Sequence, residues 1–117
     1  MHVDLTQLDA LAAGDASFKG QLLEALLSAL EELRQHYAQG AEAQDAEQIR
    51  LIRHKLKPTV EMFGVRSLQQ LLQEGKELYE QEGFGLAFRL HAEKLVQESQ
   101  AVTVEVEGLI QRFQEES

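Results

Sequence analysis

The 117-residue chain has no cysteine, no tryptophan and a single proline. Without cysteine there is no disulfide framework, no thiolate nucleophile and no Cys-ligated zinc. No apolar run approaches the roughly 18 residues that a membrane span needs. The opening "MHVDLTQLDALAAGDA" has no basic start, and acidic residues interrupt its apolar ones, so it is not expected to act as a secretory signal. The expectation is a soluble, cytoplasmic protein. Positive charge is also scarce: 11 Lys and Arg stand against 20 Asp and Glu, a formal net of −9. That balance argues against general nucleic-acid binding. There is no Gly-x-Ser-x-Gly and no P-loop. No histidine pair and no Glu-x-x-His repeats at the spacing of a metal-binding bundle. Neither an autonomous enzyme nor a bound metal or cofactor is expected.

What is present favours helix. Leu, Ala, Glu and Gln dominate, and β-branched residues are sparse before the C-terminal third. At 44% hydrophobic the chain can build one core, so residues 1–117 are read as a single domain. Asp4 followed by Gln7 predicts a short capped helix ending at Gly14. Asp15 then caps a long helix over 16–39, with an apolar stripe at Phe18, Leu22, Leu26, Leu30, Leu33 and Tyr37. Gly40 is placed as its terminator. A third helix over 43–63 carries Ile49, Ile52, Leu56, Val60 and Phe63 on one face and ends at Gly64. A fourth over 67–82 carries Leu68, Leu71, Leu72, Leu78 and Tyr79. Gly75 interrupts it at a cost of about 1 kcal/mol against alanine, which suggests close approach to a neighbour. "EGFG" at 82–85 is a turn. The last helix spans 86–114, with Phe88, Leu95, Val102, Leu109 and Phe113 on one side. Its "VTVEVE" alternates as a strand would, but no partner strand exists and the seven-residue spacing continues through it, so helix is the reading. The expected fold is all-α: an antiparallel four-helix bundle with a short additional N-terminal helix.

Charge is not spread evenly. Between positions 50 and 66 five basic residues (Arg50, Arg53, Lys55, Lys57, Arg66) face one acidic residue, Glu61. This island of net +4 is centred on His54. On a helical wheel His54 lies about 160° from the centre of the third helix's core stripe. It points to solvent or to a partner. Leu51, Pro58 and Met62 lie beside it, where a merely solvated face would carry Glu or Lys. Lys57, at i+3, is within side-chain reach. An imidazole is a nucleophile near neutral pH because its ordinary pKa is about 6.5. A phosphoryl group on it would bring negative charge, which Lys57 could meet. The apolar patch could dock a partner and the basic rim could steer an acidic one.

These residues resemble a known family. "HKLKPTVEMFG" is similar to the signature of histidine-containing phosphotransfer (HPt) domains, the carriers of bacterial and eukaryotic phosphorelays. The signature's histidine, apolar residue, lysine and final glycine match His54, Leu56, Lys57 and Gly64. "VDLTQLDALAAGDASFKGQLLEALL" resembles the family's opening, and "LQQLLQEGKELYE" its helix after the signature. The resemblance implies that His54 accepts a phosphoryl group on Nε2 from a receiver-domain aspartyl phosphate and passes it to another receiver's aspartate. Lys57 would stabilise the phosphoryl charge. The wheel of the third helix, rather than the resemblance, marks Arg50, Leu51, Arg53, Lys55, Pro58, Glu61 and Met62 as the candidate docking face. Response-regulator receivers or a hybrid histidine kinase would be the partners, the receiver would supply Mg²⁺, and the domain would be a monomer. It would be a carrier rather than an enzyme.

One position departs from the pattern. The family's usual glycine, four residues after the histidine, is Pro58 here. Proline cannot donate to the carbonyl of His54 and crowds it, at a typical interior cost of about 3 kcal/mol. The helix is therefore expected to bend or loosen at the reactive residue. Among the other histidines, His91 is expected to be hydrogen-bonded and partly buried, His36 to lie near a helix end without chemistry, and His2 to lie in a frayed terminus. The alternative function is a helical scaffold that docks a signalling partner but transfers nothing.

Overall fold

A computed structural model describes residues 1–116 as five helices, with no strand among the described residues. In chain order they are α1 (Leu5–Ala12), α2 (Ala16–Ala43), α3 (Ala46–Met62), α4 (Arg66–Glu82) and α5 (Leu86–Glu116). Side-chain caps start the first three. Asp4 accepts from the amides of Thr6 and Gln7, Asp15 from Phe18, and Asp45 from Gln48. Each satisfies an amide that has no intrahelical partner, worth about 1 kcal/mol.

α2 packs against α3 and α5, α4 packs against the same two helices, and α1 lies on α2. At 1.5 Å per residue the 28 residues of α2 and 31 of α5 span about 42–46 Å. That accounts for the 48 Å long axis of a body only 21 × 20 Å across. The core collects Leu23, Leu26, Leu30, Leu33 and Tyr37 from α2, and the whole expected stripe of α3. Phe88, Leu95, Val102, Leu109 and Phe113 of α5 are all buried as the spacing predicts. Full burial of such a side chain contributes roughly 1.5–3 kcal/mol. "VTVEVE" is helical: Val102 and Val106 face the core while Val104 is exposed. Among the described residues no helix is long and apolar enough to cross a membrane.

Several local expectations are corrected. Gly40 does not end α2, which continues to Ala43 and closes on Gln44 at φ 54°. Gly40 is buried instead because a Cβ there would stand 2.9 Å from Cδ1 of Ile49, so it sets the approach of α3. α3 accordingly starts at Ala46 rather than 43. Phe18 is 43% exposed, and Leu23 rather than Leu22 lies fully in the core. Tyr79 is also exposed. His2 is not frayed. Its amide and that of Val3 donate to the Glu105 carboxylate at 2.8–2.9 Å, and its ring lies between Glu105 and Glu98. Buried Val3 anchors this segment. Burial would raise the Glu105 carboxyl, but those amides and the His2 ring outweigh it and hold it below the ordinary value.

The N-terminal segment also closes the end of α3. The Asp4 amide donates to the Phe63 carbonyl at 3.0 Å, and Gln7 Nε2 donates to the Met62 carbonyl at 3.3 Å. Gly64 turns the chain at φ +64°, where a Cβ would meet Gln7 Oε1 and the Cβ of Asp4. The glycine ten residues after His54 thus has both a conformational and a steric reason. α3 stays helical through Pro58 to Met62. Pro58 has no N–H, so the His54 carbonyl lacks its usual i+4 donor.

Candidate functional site

α3 exposes His54 because its core stripe fixes the helix's rotation. With Ile52, Leu56, Val60 and Phe63 all buried, residue 54 can only face outward. The ring borders a groove of about 350 Å³ between α3 and α4. Val60 and Leu72 lie at its base and are buried. From α3 come Arg50, Arg53, His54, Lys57 and Glu61, while α4 contributes Gln69, Gln73 and Lys76. Four cations therefore line the groove against one carboxylate, which makes it receptive to an anion.

The availability of these cations differs. Arg50 is held by Glu47 through two hydrogen bonds of 3.0 and 2.5 Å. That bond from Arg50 holds the exposed Glu47 carboxyl below its ordinary pKa. His54, Lys57 and Lys76 are exposed and make no hydrogen bond or ion pair among the described residues. Arg53 is half-buried, makes no ion pair, and its charge is felt by the Tyr37 hydroxyl.

The sequence-expected docking residues divide into two flanks. Arg50, Arg53, Lys57 and Glu61 lie on the α4 side with His54. Leu51 and Lys55 lie on the α2 side, where Lys55 Nζ pairs with Glu32 at 2.5 Å. Lys55 is thus already neutralised, whereas Leu51 is 53% exposed. Pro58 and Met62 are exposed as well. Sequence reasoning missed Gln69, Gln73 and Lys76. Their four- and three-residue spacing places them on one face of α4, a signal that a wheel of that helix carries.

Beneath the α4 wall lies a buried polar pair. The Tyr37 hydroxyl and His91 Nε2 are 2.7 Å apart, so His91 is hydrogen-bonded as expected, and it is buried rather than only partly so. Gly75 makes room for them: a Cβ there would collide with both atoms. The anticipated close approach at Gly75 is therefore to α2 and α5 together. Burial pushes the His91 imidazole below its ordinary pKa, with Glu74 opposing and Lys94 assisting. Burial pushes the Tyr37 phenol up, opposed by Arg53. No group of three or more metal-ligating side chains occurs among the described residues. His36 meets the Gln48 side chain at 3.3 Å near the start of α3.

No protein-family model matches this chain, and no curated protein and no solved structure matches it.

Proposed function

We propose that the chain is a histidine-containing phosphotransfer domain, an antiparallel four-helix bundle of α2 to α5 with α1 as a short addition. Short connections and the ring of neighbours α2–α3–α4–α5 support that arrangement. In this reading His54 attacks the phosphorus of a receiver's aspartyl phosphate. The Nε2–P bond forms, the acyl P–O bond breaks, and the aspartate leaves as its carboxylate. The reverse exchange hands the phosphoryl group to a second receiver. Lys57 meets the phosphoryl oxygens with a charge-assisted hydrogen bond. Mg²⁺ and the remaining catalytic groups belong to the receiver, so this domain is a cytoplasmic, monomeric carrier.

The observation that carries the reading is an exposed, unpartnered imidazole at the edge of a groove with unpaired cations. A nucleophile must be free of competing partners and must meet its incoming charge with donors already in place. Leu51, Pro58 and Met62 give the adjoining surface an apolar strip on which a receiver can sit. Arg53 and Lys57, which make no ion pair among the described residues, keep its rim basic, which favours the acidic site of a receiver. The test is incubation with Mg²⁺ and receiver domains carrying aspartyl phosphate, beside a His54→Gln control. Acid-labile, base-stable phosphate on the wild type alone is expected. Persistence of the label in the control would reject His54, and failure with a panel of receivers would favour the non-transferring scaffold.

A further inference from the structure

We propose that Lys76 of α4 is a second phosphoryl-binding residue, which meets the transferred group from the opposite wall of the groove to Lys57. This rests on the carrier reading of His54. A phosphoryl group near neutral pH carries about −1.5 to −2 charges, and one lysine leaves about half of that unmet. The groove places a lysine on each wall, Lys57 from α3 and Lys76 from α4.

Neither is committed elsewhere. The Glu77 carboxylate beside Lys76 accepts from Gln73 Nε2 at 3.0 Å. Glu80 stands at i+4 from Lys76, in the order that pairs less well on a helix, and the two form no ion pair. Arg50 is held by Glu47, and Arg53 is half-buried. Lys57 and Lys76 are thus the exposed cations of the groove that make no ion pair among the described residues. Lysine fits this position because a compact charge with three rotatable donors can follow the phosphoryl oxygens as the group arrives and leaves.

Lys76 is best tested without a receiver. Potassium phosphoramidate is the donor. The His54 Nε2 lone pair forms the new N–P bond, the donor's P–N bond breaks, and ammonia leaves with that electron pair. The ring's Nδ1 proton passes to water. The ³¹P shift of the labelled full-length chain is then followed against pH. Removing a nearby cation should raise the midpoint of the phosphoryl group's second ionisation. Lys76→Gln is expected to raise it by about 0.5–1 unit. Lys76→Arg should keep the wild-type midpoint, and Lys94→Gln, a lysine outside the groove, should leave it unmoved. A merely structural role for Lys76 would not shift this midpoint. Label on His54 with an unchanged midpoint in Lys76→Gln would overturn the assignment of Lys76 alone. An unlabelled His54 in the wild type would overturn the carrier reading and this assignment with it.

Discussion

Two grooves of about 350 Å³ flank α3, and each has a histidine in its lining. On the α4 side stands His54, among Arg50, Arg53, Lys57 and Lys76 with one carboxylate, Glu61. On the α2 side stands His36, among Glu32, Asp45 and Glu47 with one cation, Lys55. The charged groups of the α2 side are engaged: Glu32 holds Lys55, Asp45 caps α3, and Glu47 holds Arg50. His36 meets Gln48. The two grooves match in size and in having an imidazole, yet only the α4-side groove carries an excess of positive charge. What separates them is the sign of the field and the presence of donors left without partners. A surface histidine by itself marks nothing.

The comparison is broken most severely by reversing one charge. Lys57→Glu changes the charge beside His54 by two and should slow phosphoryl transfer by about 100-fold, equivalent to two charge-assisted contacts. Lys55→Glu, on the other flank, should change it less than about threefold. Rapid-quench transfer assays with a common receiver would compare them, and equal losses would refute the division of flanks.

The next effect is on the footing of the α4 wall. Gly75→Ala must separate the Tyr37–His91 pair or push α4 outward. Alanine's better helix propensity offsets part of the damage, and a net loss of about 1–3 kcal/mol is expected. Urea unfolding should show a lower midpoint with an unchanged slope, together with impaired transfer at His54. A stability equal to wild type would mean that the pair relaxes freely.

Pro58→Gly sharpens the comparison at the turn of α3 that carries His54. It restores a donor to the His54 carbonyl and should stabilise the protein by about 1 kcal/mol, because glycine costs a helix less than proline but frees the unfolded chain. A large drop in transfer alongside that gain would identify Pro58 as part of the docking face. Unchanged transfer would reduce it to a tolerated interruption.

The smallest effect is the pH response of the buried histidine. His91 has its folded-state pKa below the ordinary value of 6.5, so the unfolded chain binds its proton first. The contribution is fully present above about pH 6.5 and is lost as pH falls toward the depressed value. Unfolding free energies measured from pH 7.5 down to 5 should decline in the wild type and decline less in His91→Gln. Identical slopes would place the histidine's role elsewhere.

Much of this arrangement was legible in the sequence, for physical reasons that also mark the limits. Ile49, Ile52, Leu56, Val60 and Phe63 fixed the rotation of α3, and with it the exposure of His54, because helical periodicity is local. Gly75 announced a close approach by its cost alone. Its partners could not be read, since Tyr37 and His91 come from helices far apart in the chain. The same holds for Lys76 and the α4 wall, and for Glu105, which holds His2 from 103 residues away. Gly40 was misread because a glycine near a helix end serves equally as a stop or as a contact. Asp45 with Gln48 three residues later was the better boundary signal.

The most direct test of the account sets the two groove histidines side by side. Wild type, His54→Gln and His36→Gln would each be offered the same aspartyl-phosphorylated receiver with Mg²⁺, and acid-labile label would be counted. The account predicts full label on wild type and His36→Gln, and none on His54→Gln. Label that survives in His54→Gln, or is lost in a folded His36→Gln, would contradict it.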